Sequence, residues 1–408
     1  MAGAPPGSTP VRSTPTGPRG RVIIGSRKSQ LAMIQSRHVQ SLLSSAFPGV
    51  EFVIRTSSTL GDDVQNVPLS VVGSANPGLF TKNLEVGIVA GAYDLAVHSL
   101  KDMPTMLPAG LVLGAITTRE DPSDAVVLHP SYVTSVGGAN KGPQPAAGNA
   151  SSSATFASST LAALPAGAIV GTSSLRRQAL VARMYPHVKV ISIRGNLNTR
   201  MKKLDDSVPF AERQMAAAAG AAAVATPGAG EYGEGERQVH YDAIILATAG
   251  LKRMGWGDRI SQTFDPSEFP YGVSQGALGI ECRADDAWVL EQVVRTVNDR
   301  DAATRCLAER AFLRGLQGGC QVPIGVSTEL HVDTGKMELR GVVLSLDGKQ
   351  CIDEQGTMVF SDGTIAEMAA KAEALGASLA EAAKKNGADE LLGRGDQPRP
   401  ITYSQVAQ

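Results

Sequence analysis

Cysteine is scarce in this 408-residue chain, and the four present, Cys282, Cys306, Cys320 and Cys351, form no CxxC pair. Such wide spacing argues against a zinc site or a disulfide framework, so each thiol has to be judged alone. Aromatic residues make up only 4% of the sequence, and 38 Lys and Arg face 39 Asp and Glu. A molecule with neither a positive excess nor stacking platforms is a poor nucleic-acid binder, and any anion site in it must be a local cluster. P-loop GxxxxGK[ST] and dinucleotide GxGxxG patterns are missing as well. No apolar run approaches the roughly 20 residues that cross a bilayer, and the first residues lack the apolar core of a secretory signal. These absences predict a cytoplasmic protein with no membrane or nucleic-acid partner.

What is present is enough apolar material, 43% of the chain, for two or three cores. Residues 1–19 are rich in Pro, Gly, Ser and Thr and carry two arginines and no acids, which reads as a disordered tail. Organellar targeting shares that basic character, but the stretch has no amphipathic face. From Arg21 the pattern changes. "RVII" reads as a buried strand, "SQLAMIQSRHVQSLL" places Leu31, Ile34, His38 and Leu42 on one helical stripe, and "EFVIR" reads as the next strand. Strand, helix and strand in succession imply a parallel βαβ unit. The same grammar recurs in "YDLAVH", in "AIVGTSSLRRQALVARM" followed by "VKVISI", and in "YDAIILATAG". Val133 to Pro165 and Ser207 to Gln238 read as surface insertions, being rich in Ala, Gly and Ser or in Ala, Gly and Glu. After Thr304 one helix, three strands and a final Ala-rich helix predict a small α+β domain.

Four segments follow predicted strands with polar or basic residues, at the crest where open α/β sheets bind ligands. "GSRKSQ" carries Arg27 and Lys28 beside capping serines, and "HSLKDMPT" carries His98, Ser99, Lys101 and Asp102. "GTSSLRRQ" places Arg176 and Arg177 on the first turn of a helix that Thr172, Ser173 or Ser174 can cap, and "IRGNLNTRMKK" contributes Arg194 and Arg200. A single Arg pair on a helix is usually a solvated face. Four basic turns at one topological position instead suit a ligand with several carboxylates, because the guanidinium fork fits a carboxylate two bonds at a time.

Asp102 is a carboxylate among basic neighbours. It either stabilises positive charge or moves a proton in a reacting group, or it caps the following turn or pairs with Lys101. Asp121 and Asp124 of "REDPSDAVV" read as structural. Cys320, preceded by Gly318 and Gly319 and followed by Pro323, reads as a loop thiol suited to covalent attachment, since no His with Asn or Asp stands at a protease spacing from it. Cys282 and Cys306 read as buried spacers.

Taken in order, "GSRKSQLA", "HSLKDMPT", "GTSSLRRQ", "IRGNLNTR", "ILATAGLKRMG", "SQGALGIE" and "AERAFLRGLQGGCQVPIG" resemble the porphobilinogen deaminase family, over about Arg21 to Leu346. The resemblance implies two periplasmic-binding-protein-like α/β domains with a central cleft, residues 20–119 with 273–297 and residues 120–272, plus a C-terminal α+β domain over residues 298–408. It implies a dipyrromethane cofactor held by Cys320 through a thioether, with Asp102 as the catalytic carboxylate. Ser99, Lys101, Thr172, Ser173, Arg176, Arg177, Arg200 and Gln275 correspond to cofactor contacts, and Arg27, Ser29 and Arg194 to substrate contacts. The activity implied is stepwise condensation of four porphobilinogen molecules with release of ammonia and hydroxymethylbilane, in tetrapyrrole (haem) biosynthesis, by a monomer that needs no metal. A two-lobed carboxylate-binding protein without catalysis is the alternative that the fold alone permits.

Overall fold

The computed structural model describes residues 19–57, 81–133, 160–218, 239–317, 322–360 and 363–393. Its strands are, in chain order, β1 (Arg21–Arg27), β2 (Glu51–Ser57), β3 (Leu95–Ser99), β4 (Leu111–Ile116), β5 (Asp124–Leu128), β6 (Ile169–Gly171) and β7 (Lys189–Ile191). Then come β8 (Ala243–Ala247), β9 (Gln262–Thr263), β10 (Leu278–Arg283), β11 (Ile324–His331), β12 (Lys336–Leu344) and β13 (Cys351–Val359). The chain divides into two compact units, residues 1–119 with 277–303 and residues 120–276 with 304–408.

The first unit is built on a sheet of order β2-β1-β3-β10-β4. β1 runs parallel to β2 and β3, as the strand–helix–strand pattern predicts, whereas β10 enters antiparallel between β3 and β4. Its core joins Val22, Ile24, Val39, Leu43, Leu95, Val97, Ile280 and Val289. Helix α1 (Gln30–Ala46) packs with Ala32, Gln35, Ser36, Val39 and Leu43 buried, so the stripe of Leu31, Ile34, His38 and Leu42 is corrected by about one residue. The cause is polar burial. Ser36 donates to Ser26 at 2.7 Å and Gln35 bonds Ser99, and such paired polar residues are invisible to an apolar-periodicity reading. Helix α2 (Lys82–Val89) buries Leu84, Glu85 and Ile88.

Arg19, at the end of the segment read as a tail, is anchored. It pairs with Asp94 at 2.7 Å and with the fully buried Asp286 at 2.6 Å, and it lies over the Trp288 ring. The rest of that tail lies outside the described residues.

The second unit repeats the design in a sheet of order β7-β6-β8-β5-β9, with β6 parallel to β7 and β8 and with β5 antiparallel to β8 and β9. Helices α3 (Leu175–Met184), α4 (Leu197–Asp205), α5 (Phe210–Ala218) and α6 (Thr248–Arg253) accompany it. Both stretches read as insertions reach into the core at their ends: Leu161 and Leu164 are buried, and Arg213 of α5 pairs with the buried Asp242 at 2.6 Å. Residues 134–159 and 219–238, the remainder of those stretches, lie outside the described residues.

Within the same unit the C-terminal segment forms an antiparallel sheet, β11-β12-β13, against helix α7 (Arg300–Gly315) and helix α8 (Ile365–Lys385), which is the α+β arrangement expected. Phe312, Leu339, Val343, Ala372 and Leu379 share its core. α7 and α8 meet through Gly376, where a Cβ would stand 2.1 Å from the Ala308 carbonyl oxygen and 2.8 Å from the Phe312 nitrogen. In an open helix Gly→Ala stabilises by about 1 kcal/mol. Here the clash is with backbone, which cannot rotate away, so Gly376→Ala is expected to destabilise by about 1–3 kcal/mol. A thermal melt showing unchanged or raised stability would contradict the packing.

Candidate functional site

The strand directions explain where polar groups gather. Because β10 runs antiparallel to β3, its first residue, Leu278, sits opposite Ser99, the last residue of β3. The Leu100 N–H then bonds the Ala277 carbonyl at 3.0 Å, which fixes the single 3₁₀ turn Leu100–Asp102. A recess beside this turn is lined by Arg27, Gln35, Thr81, Val97, His98, Ser99 and Asp102. Ser99 exchanges hydrogen bonds with the Gln35 amide at 3.0 and 3.2 Å.

Asp102 is half-buried, and among the described residues its carboxylate has neither a hydrogen bond nor an ion pair. It does not pair with Lys101, and the Met103 N–H that closes the turn bonds the Leu100 carbonyl instead. The turn-cap and Lys101-pair readings therefore find no contact here. Ser29 uses its hydroxyl to cap α1, accepting from the Ala32 N–H at 3.4 Å, while Arg27 stands on the recess wall.

Behind the recess lies a layer that sequence reasoning missed. His98 Nε2 lies 3.0 Å from Glu281 Oε2, both buried, while Glu281 Oε1 is buried with no hydrogen-bond partner among the described residues. Thr81 donates to Glu85 at 2.5 Å, and burial, helped by the neighbouring Glu281 and opposed by the Thr81 bond, pushes the Glu85 carboxyl up.

The second unit has its own polar crest. β5 runs antiparallel to β8, so Asp124 at its start lies opposite Ala247 at the end of β8, under the first turn of α3. Ser174, one of the three candidate caps, closes that helix by accepting from the Arg177 N–H at 3.5 Å. Thr172 accepts from the Ser174 N–H, and Ser173 bonds Ser192 and the Ile193 carbonyl.

Arg176 Nη1 donates to Asp124 at 2.6 Å and to the Pro270 carbonyl at 2.8 Å. Arg177 donates to Asp124 through Nε at 3.0 Å and Nη2 at 2.7 Å, and to the Ile245 carbonyl through Nη1 at 2.8 Å. Gln275, 2% exposed, donates to Asp124 at 2.8 Å and to the Pro122 carbonyl at 2.7 Å. The sequence treated Arg176 and Arg177 alike, and the structure separates them. Arg177 spends both edges inward, whereas the Nε and Nη2 of Arg176 make no hydrogen bond among the described residues and neither atom is sealed from solvent. That Nε–Nη2 edge is a bidentate carboxylate fork. On α4, capped by Asn196, Arg200 Nε bonds the Gly195 carbonyl at 2.8 Å, and Arg194 is half-buried one residue before that glycine. Cys320 lies outside the described residues. Cys282 and Cys306 are fully buried, and burial pushes the Cys282 thiol up to about 12, in keeping with spacers.

Two family profiles match the chain: "Porphobilinogen deaminase, dipyromethane cofactor binding domain" over residues 22–226 and 233–291, and "Porphobilinogen deaminase, C-terminal domain" over residues 303–385. The chain belongs to the porphobilinogen deaminase family. It is 42% identical over 374 residues to the porphobilinogen deaminase of Nostoc sp. strain PCC 7120, covering 92% of this chain and 94% of the relative. Against that of Synechococcus elongatus it is 42% identical over 375 residues, covering 92% and 95%. Against that of Synechococcus sp. strain RCC307 it is 43% identical over 371 residues, covering 91% and 95%. Among solved structures it is similar to the periplasmic VFT2 domain of Bordetella pertussis BvgS, at 11% identity and a TM-score of 0.31 over 70% of this chain and 92% of that one. The family's activity is a transferase reaction that uses a dipyrromethane cofactor, and the first profile places that cofactor's binding domain in this chain.

The burial of Asp124 makes the arginine crest sensitive to acid. Burial alone would raise its carboxyl, but the Arg176 and Arg177 charges outweigh burial and hold it far below the usual carboxylate range. A depressed folded value means that Asp124 contributes its full stability above the unfolded value near pH 4 and loses it as pH falls through the folded one. Asp124→Asn removes the charge between two buried cations and is expected to cost about 3–5 kcal/mol at neutral pH. Its deficit should shrink as the pH falls below about 4. Denaturation midpoints from pH 7 to 2 check this, and a deficit independent of pH would contradict it.

Proposed function

We propose that this chain condenses four porphobilinogen molecules stepwise, releasing ammonia and then hydroxymethylbilane, with Asp102 as the catalytic carboxylate and Cys320 as the covalent anchor of dipyrromethane. One observation carries the residue assignment: the Asp102 carboxylate is held by a fixed 3₁₀ turn beside Arg27 and Ser99, and no described residue neutralises it. Positive charge builds on the pyrrole nitrogen of porphobilinogen as ammonia leaves. A preorganised anion that needs no reorganisation at that moment stabilises the charge, and a salt-bridged one would not. This favours the enzyme over a carboxylate-binding protein, for which an unpaired anion beside the binding arginines is a liability.

The donor set of the second unit fits dipyrromethane, whose rings carry carboxylate side chains. The free fork of Arg176 supplies two parallel donors, and Thr172, Ser173 and Arg200 stand on neighbouring turns of the same unit. When bound, the dipyrromethane supplies the α-carbon to which porphobilinogen units are joined. Arg177 and Gln275 brace Asp124, and through it they aim Arg176. Lys101 is assigned to the cofactor, Arg27 and Arg194 are assigned to the substrate carboxylates, and Ser29 sets the start of α1 next to Arg27. The C-terminal segment, from about residue 298, is the cofactor-carrying domain on this reading, and the enzyme acts as a monomer in the cytoplasm.

Intact-mass measurement of the purified chain tests the reading. A mass increment equal to two pyrrole units should be present in the wild type and absent from Cys320→Ala, which should still fold. Retention of the adduct in Cys320→Ala would overturn the anchor. Asp102→Asn keeps the size and hydrogen-bonding capacity of the side chain but removes its charge, and kcat should fall about a hundredfold or more while porphobilinogen binding changes little. Turnover within a few fold of wild type in a steady-state assay would remove Asp102 from the chemistry.

A further inference from the structure

We propose that Glu309 is a positioning residue, through which helix α7 sets the orientation of the arginine crest that receives the cofactor. Glu309 is fully buried on α7, the helix that ends at Gly315, a few residues before Cys320 in sequence. Its carboxylate reaches one loop and one strand. Oε2 accepts from the Ser274 N–H at 2.7 Å, and Oε1 accepts from the Thr328 hydroxyl at 2.9 Å and the Tyr271 hydroxyl at 3.2 Å. Tyr271 also bridges Val326 of β11 through two backbone bonds of 2.9 Å.

Ser274 holds a left-handed backbone with φ of 60°, and its neighbour Gly276 has φ of 91° with a Cβ position only 2.2 Å from the Glu120 carbonyl oxygen. A non-glycine residue in that region costs about 1–3 kcal/mol and persists only where its surroundings fix it. The Glu309 bond to the Ser274 N–H is the fixing contact on one side. On the other, Arg253 donates to the Gly276 carbonyl at 2.7 Å. Gln275, held between them, turns its amide onto Asp124 and the Pro122 carbonyl. The physical chain is therefore Glu309, Ser274, Gln275, Asp124 and Arg176, with every link 2.6–2.8 Å or one peptide long. The adjoining Pro270 carbonyl also accepts from Arg176. A buried carboxylate so placed is more than packing, since an apolar residue of equal size would fill the space at no desolvation cost. What it adds is direction for the turn that aims Arg176.

The proposal rests on the assignment of Arg176 to the dipyrromethane, and its test separates the two. Glu309→Gln preserves size but turns an amide N–H toward one of three donors, so the turn loosens. The variant should fold, as near-ultraviolet circular dichroism would show, yet load dipyrromethane about ten- to a hundredfold more slowly when apo-protein is mixed with porphobilinogen and followed by intact mass. Adding Ser274→Gly should restore much of that rate, because glycine adopts the left-handed conformation without help. If Glu309→Gln fails to fold, Tyr271→Phe, which removes one donor and keeps the ring, should show the same slowed loading to a smaller degree. Loading and kcat at wild-type levels in folded Glu309→Gln, with only the melting temperature lowered, would overturn the positioning role. So would slowed loading that Ser274→Gly leaves unchanged. Absence of any adduct from the wild-type chain would instead overturn the cofactor assignment, and this proposal with it.

Discussion

Arg176 and Arg177 stay adjacent at 5% and 6% exposure because the Asp124 carboxylate lies between them. Two cations a few ångströms apart in a poorly solvated place repel strongly, and each has lost hydration that bulk water would supply. One carboxylate with short bonds to both converts that repulsion into a cross-link. The bonds are directional, so the cross-link fixes more than charge. It joins the first turn of α3 to the start of β5, and with Gln275 and the Pro270 carbonyl it also draws in the 270–276 turn. The buried pair is costly to assemble and costly to break, which suits a group whose use is to hold one guanidinium edge in a set direction.

Both sheets solve the same placement problem in the same way. Each puts an antiparallel strand beside a central parallel one, so that the entry of the first lies next to the exit of the second. In the first unit this brings residue 277 against the Leu100 N–H and sets Asp102 at the end of the turn that this bond fixes. In the second it brings Asp124 beneath the α3 N-terminus. A wholly parallel sheet would have helix starts at that crest but no strand entry from which to supply a counter-charge. The carboxylates that matter are thus delivered by strand polarity, one of them paired and one left open.

Much of this was legible in the sequence because it is local. Strands β1–β3, β6–β8 and β11–β13, the helix starts after Ser29 and Ser174, and the polar turns after β1, β3, β6 and β7 follow from periodicity and capping chemistry that span a few residues. The seven ordered motifs carried the family. What was not legible depends on partners far apart in sequence. Nothing near Asp124 announces that it meets arginines 52 and 53 residues later, so it read as merely structural when it governs the direction of Arg176. The Glu85, His98 and Glu281 layer was hidden for the same reason, with 183 residues between His98 and its partner. The α1 face was misplaced by one residue because Gln35 and Ser36 are buried as hydrogen-bonded groups, which an apolar count scores as surface.

The asymmetry between Arg176 and Arg177 bears on how a growing polycarboxylate could be accommodated. Each pyrrole unit brings two carboxylates, so a chain of six rings carries about twelve negative charges, and one open fork can meet only one carboxylate at a time. If both arginines of the pair faced the ligand, the two would compete for Asp124 whenever the ligand left, and the crest would rearrange at every release. Committing Arg177 to Asp124 and the Ile245 carbonyl removes that competition and, on the proposed reading, keeps Arg176 in place whether or not a carboxylate is bound. On the proposed reading the remaining charge falls on Arg27 and Arg194, the arginines assigned to the substrate. A braced arginine suits the part of the ligand that stays, because its fork keeps one direction through every cycle.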